Sequence, residues 1–115
     1  MDNARKKDLI RAFKEKPVPQ GVFAVRCAAS GQVWVSASRN LERQQTSLWF
    51  GLKHGGHPNR GLQAAWTAHG EAAFTYEVLE TLEIEDDASP YMIQTRLKDR
   101  DLHWRTALGA EKALG

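Results

Sequence analysis

One cysteine, four prolines and no long apolar run are the scarcities that bound this 115-residue chain. Cys27 stands alone, which excludes an internal disulfide and suits a reducing compartment. No CxxC pair accompanies His54, His57, His69 and His103, so finger-type zinc binding lacks its thiolates. No stretch approaches the roughly 20 apolar residues that a bilayer crossing requires, and the charged N-terminus lacks the apolar segment of a secretory signal. The expectation is a cytoplasmic, soluble domain with no membrane partner. Hydrophobic residues at 42% and charged residues at 26% are ordinary for such a domain, and the length suffices for one core.

Acidic residues are scarce in one half only. Residues 1–60 carry 11 Lys/Arg against 4 Asp/Glu, whereas residues 61–115 carry 5 against 10, and the whole chain is +2. Arg5, Lys6, Lys7, Arg39, Arg43 and Arg60 belong to the basic half. Clustered cations of this kind suit a phosphate-bearing partner. They are equally the ordinary decoration of solvated helix faces.

Periodicity divides the chain into seven elements. Residues 3–15 read as a basic amphipathic helix ended by Pro17 and Pro19. Residues 21–27 and 32–38 read as strands rich in Val, Phe and Trp, joined around Ser30-Gly31 as a hairpin. Asn40 is a good N-cap for a helix over 41–54 with Leu41, Leu48, Trp49 and Leu52 inward, stopped by Gly55-Gly56. Pro58 suits the first turn of another helix carrying Leu62, Ala65, Trp66 and His69 on one side. Residues 73–82 alternate as a third strand, and Ser89-Pro90 opens a last helix to about Leu108. The order α-β-β-α-α-β-α describes an α+β domain: a small three-stranded, mostly antiparallel sheet flanked by helices. Residues 1–20 form a basic helix and linker, and 21–115 the domain proper.

Gly21-Val22-Phe23, then Val33-Trp34-Val35-Ser36, then Ser38-Arg39-Asn40-Leu41-Glu42 resemble the opening of a GIY-YIG nuclease domain. His57-Pro58-Asn59, Leu62-Gln63, Trp66, His69-Gly70, Phe74 and Val78-Leu79-Glu80 continue the likeness, at matching spacing, to that family's phage-type homing endonuclease branch. The resemblance implies metal-assisted phosphodiester hydrolysis. Two motif tyrosines and a helical arginine would activate water and steady phosphate charge, and a glutamate would hold Mg²⁺ or Mn²⁺.

This chain departs from that pattern at most of those positions. Phe23 has no hydroxyl, Trp34 is only a donor, and Ser36 replaces a glycine. The arginine position falls on Gln44, which cannot supply a fixed cation. Arg43 lies one residue earlier, about 100° around the helix. The glutamate position, aligned on Trp104, is Asp101. It is either an inward carboxylate needing a partner or metal, or a surface residue pairing with Arg105. Trp49, Trp66 and Trp104 lie on apolar stripes, whereas Trp34 either fills the old cleft or stacks a base. His57 caps a helix or meets phosphate, and His69 packs near its helix end.

The resulting expectation is a nucleic-acid-binding domain, for DNA before RNA, with cleavage lost or strongly reduced and no cofactor. Its contacts would come from Arg5, Lys6, Lys7, Arg39, Arg43, His57, Asn59 and Arg60, with a protein partner supplying specificity. Two alternatives stand beside it. One is an active endonuclease with a divergent site, using Arg43 or Arg39, His57 and Asp101 with Mg²⁺ or Mn²⁺, and the other is a protein-interaction domain.

Overall fold

Gly21-Val22-Phe23-Ala24-Val25 is apolar on both sides of the chain, and the computed structural model buries it on both sides. The structure describes residues 18–84 and 87–114. Strand β1 (Gln20–Cys27) pairs antiparallel with β2 (Val33–Ser38) and, on its other edge, with β3 (Phe74–Leu82). Val22, Phe23, Ala24 and Val25 are each 0% exposed, because helices cover both faces of the strand they occupy. Burying each Val or Phe side chain contributes about 1.5–3 kcal/mol.

Strand period sorts the side chains between two layers. Phe23, Val25, Cys27 and Trp34 face helices α1 (Leu41–Lys53) and α2 (Arg60–His69), meeting Leu41, Leu48, Leu52, Leu62, Ala65 and Trp66. Val22, Ala24 and Val35 face helix α3 (Pro90–Leu108) through Trp104 and Leu108. Each helix opens on a side-chain cap. Asn40 accepts from the Arg43 N–H, Asn59 from the Leu62 N–H, and Ser89 from the Met92 N–H.

Three expectations need correction. The sheet has four strands and is mixed, in the order β3-β1-β2-β4, because β4 (Glu111–Lys112) adds parallel to β2. A two-residue Glu-Lys strand has no hydrophobic alternation to announce it. It is held by backbone pairing and by the Asn59 side chain, whose Nδ2 donates to the carbonyls of Lys112 and Ala113. The described order is therefore β-β-α-α-β-α-β, and the expected helix over 3–15 lies outside the described residues. Pro58 precedes the Asn59 cap instead of sitting in the first turn, and His69 is exposed at its helix end.

Sheet and α3 are joined at one irregular point. Val22 pairs with Glu80 and Phe23 with Val78, so Leu79 bulges out of the ladder. There the backbones draw close: a Cβ on Gly21 would lie 1.9 Å from the Glu80 carbonyl oxygen. The Glu80 side chain crosses to α3, where Oε1 accepts from Arg100 Nε at 2.7 Å and from Trp104 Nε1 at 2.8 Å. Burial by itself would raise the Glu80 carboxyl, but these two hydrogen bonds and the Arg100 charge outweigh it and hold it below the usual value.

Two outcomes follow from that junction. Gly21→Ala forces β1 and β3 apart and lowers stability by about 1–3 kcal/mol, read as a lower urea midpoint with an unchanged slope. The depressed Glu80 carboxyl contributes stability that is complete above the ordinary carboxylate range and is lost as pH falls through its lowered value. Glu80→Gln keeps the acceptor and removes the charge. Its deficit against the parent chain is therefore largest near neutral pH and closes in acid, as urea midpoints across a pH series would record.

Candidate nucleic-acid interface

The hairpin register brings the two motif positions onto one face. Phe23 pairs with Ser36 and Val25 with Trp34, so Phe23, Trp34 and Ser36 all point beneath α1 and α2. Phe23 and Trp34 are 0% exposed, and Ser36 is buried with them. Phe23 stacks on Tyr76 at 5.3 Å between ring centroids, and Trp34 on Phe74 at 6.2 Å. The Trp34 indole N–H is buried and has no hydrogen-bond partner among the described residues. A base cannot stack on Trp34 unless this layer opens.

The phenol nearest the lost hydroxyl is Tyr76, on the neighbouring strand. It donates to the Leu41 carbonyl at 3.3 Å, and burial pushes its pKa up to about 12. It stays protonated at neutral pH.

At the start of α1, Ser38 Oγ donates to Gln44 Oε1 at 2.8 Å and accepts from the Asn40 N–H at 3.1 Å. Gln44 thus closes the strand-to-helix junction with a neutral amide. Arg43, the adjacent cation, is exposed, and so are Arg39 and Arg60. None of the three has an ion-pair partner among the described residues.

His57 is half-buried, its ring against the backbone of α1, with Cδ2 3.6 Å from where a Gly51 Cβ would stand. Its Nδ1 accepts from the Asn59 N–H at 3.1 Å, so the neutral ring carries its proton on Nε2. Burial lowers its pKa from the usual value, favouring that neutral form. Asn59 is committed elsewhere. Its oxygen caps α2 and its amide holds Lys112 and Ala113, so a nucleic-acid contact would have to break these bonds. Arg5, Lys6 and Lys7 lie outside the described residues.

Asp101 belongs to α3, the helix on the other face of the sheet from Phe23 and Trp34. It is 6% exposed, and its Oδ1 accepts from Arg105 Nε at 2.9 Å. Both sequence readings are therefore partly realised: the carboxylate is inward, and Arg105 is its partner. The arrangement does not fit a divalent ion. A guanidinium already neutralises the one carboxylate, which is a methylene shorter than glutamate, and a hard cation needs several oxygens. No group of three His, Cys, Asp or Glu side chains that could hold a metal occurs among the described residues.

Sequence reasoning passed over Phe50 and weighed His54 only as a zinc ligand. Phe50 is 64% exposed on α1 and its ring lies 4.2 Å from that of His54. The signal was present in the helical period, since Phe50 falls opposite Leu41, Leu48 and Leu52.

No family model matches the chain, and no curated protein does. Two solved structures match its shape. A point mutant of the catalytic domain of the intron endonuclease I-TevI superposes with a TM-score of 0.67, and the catalytic domain of the homing endonuclease I-TevI with 0.66. In both comparisons the identity is 19%, and the match covers 84% of this chain and 99% of the other. At that identity the likeness concerns fold. The hairpin, the helix pair and the returning strand that resemble GIY-YIG domains in sequence are thus assembled as they are in the I-TevI catalytic domain.

Proposed function

We propose that this chain is a nucleic-acid-binding domain on a homing-endonuclease fold, with DNA as its favoured partner and cleavage lost or strongly reduced. The observation that carries the proposal is the complete burial of Phe23 and Trp34 at the hairpin positions where the chemistry would begin. Neither side chain accepts a proton, and neither is reachable by water or phosphate. Gln44, tied to Ser38, offers no cation, and the Asp101 carboxylate is taken by Arg105. Several cooperating groups are then missing together, and groups that act as a unit are not replaced one at a time.

Binding asks less of a surface than cleavage does. Exposed Arg39, Arg43 and Arg60 supply phosphate contacts, and neutral His57 supplies an N–H donor from Nε2. Such contacts position a nucleic acid without reading its sequence, which leaves specificity to a partner protein. No described helix is long and apolar enough to cross a membrane. The buried free Cys27 fits a cytoplasmic setting.

Supercoiled plasmid incubated with Mg²⁺ or Mn²⁺ should remain supercoiled while a mobility shift at about 50 mM salt shows binding. Arg43→Ala should weaken that binding on every sequence and lower the salt slope by roughly one. Nicking that disappears with Asp101→Ala and His57→Ala would overturn the loss of cleavage, and no detectable binding would overturn the partner. Mn²⁺ should leave the backbone amide signals around Asp101 unbroadened in NMR spectra. In Arg105→Gln, which frees the carboxylate, broadening there should increase.

A further inference from the structure

The outermost line of α1 has a composition that core packing does not explain. Leu41, Leu48 and Leu52 are its buried residues. Diametrically opposite, at helical spacing, stand Arg43, Ser47, Phe50 and His54, all exposed. A phenylalanine at the position farthest from the core adds nothing to that core: Phe50 is 64% exposed, and its ring lies against a second ring. His54 Nδ1 donates to the Phe50 carbonyl at 2.8 Å, which pins the imidazole over the phenyl at a centroid distance of 4.2 Å and an interplanar angle of 35°. Gly55 and Gly56 follow, and a Cβ on either would meet nothing within 4 Å, so the end of the platform is open. An i, i+4 side-chain pair supports its own helix only weakly, and a polar residue at position 50 would serve solubility better.

Resting on the nucleic-acid reading above, we infer that the Phe50–His54 pair is a stacking platform for an unpaired base. Arg43, two turns back on the same line and roughly 10 Å along the axis, holds the phosphate backbone of that strand. The favoured ligand is therefore single-stranded, or a duplex end or junction with a base turned out. The charge around the platform selects a polyanion: Arg39 and Arg43 precede it, and Lys53 flanks it while pairing with Glu71 at 2.9 Å. Base faces are hidden inside a duplex, so an aromatic surface gains little from paired DNA and stacks on single strands regardless of sequence. The imidazole and phenyl are already held together, so little ordering is lost when a base arrives.

Fluorescence anisotropy with a labelled single-stranded DNA oligonucleotide, and with the same sequence annealed to its complement, tests this. Phe50→Ala should weaken single-strand binding about tenfold or more and leave duplex binding within about twofold. Phe50→Trp should retain it, whereas Phe50→Leu, apolar but not aromatic, should lose it like Ala. Position 50 faces away from the core, so each variant should keep the parent urea midpoint. An unchanged single-strand affinity in Phe50→Ala, equal losses on single strand and duplex, or full retention by Phe50→Leu would overturn the inference. The last would mark an apolar protein contact in its place. If duplex binding responds to Arg43→Ala while single-strand binding ignores position 50, the platform falls and the nucleic-acid reading stands. Absence of all binding removes both.

Discussion

The pairing register of β1 with β2 is the constraint from which the rest of this molecule follows. Setting Phe23 against Ser36 and Val25 against Trp34 assigns every side chain of the hairpin to one of two covered faces. A slip of one residue would send Val22 and Ala24 beneath α1 and turn Phe23 and Trp34 toward α3. Helices lie on both sides, so neither face of β1 has a solvated position to offer between Val22 and Val25. A tyrosine hydroxyl at position 23 would need a partner in that layer, whereas a phenyl ring needs none. The apolar side chains at these hairpin positions therefore complete the core. One trace of imperfect fit persists in the buried Trp34 indole N–H, which meets no acceptor among the described residues.

That register also explains which parts of the fold were legible in the sequence. The hairpin, α1, α2, β3 and α3 carry strong periods and marked boundaries: Ser30-Gly31, Asn40, Gly55-Gly56 and Ser89-Pro90. Each emerged within about two residues of its expected bounds. Strand β4 did not, because Glu111 and Lys112 join the sheet through backbone groups and an Asn59 amide. A side-chain pattern has no access to such a strand. Pro58 misled for a related reason. Asn59, one residue later, makes the stronger cap, and its second role at the C-terminal strand fixes the helix start there.

The candidate site was legible in identity but not in accessibility. Substitutions at Phe23, Trp34, Ser36 and Gln44 are read directly from the sequence, yet whether Trp34 lay in a cleft or in the core depended on what α1 and α2 bring over it. Asp101 shows the same limit. Helical period placed it inward and i+4 spacing placed it beside Arg105, and the structure realises both because a long guanidinium side chain can follow a carboxylate into a partly covered position. Phe50 was missed because it breaks the rule used to find stripes: it is apolar and belongs to none.

The charge asymmetry between the halves takes on a different meaning once the pairings are known. Four acidic groups of the second half are answered within the fold: Glu71 by Lys53, Glu77 by Arg26, Glu80 by Arg100, and Asp101 by Arg105. The two exposed pairs, Arg26–Glu77 and Lys53–Glu71, contribute little to stability, but all four cancel local field. Arg39, Arg43 and Arg60 belong to no ion pair among the described residues. The potential felt by an approaching polyanion is set by where uncancelled charge remains, not by the total of +2. Among the described residues, uncancelled cations stand around α1 and at the start of α2, and others at Lys98 and Lys112. Phe23 and Trp34 are hydrophobic core, so the uncancelled Arg43 and Arg60 lie on the helices that cover the sheet and not on the sheet itself.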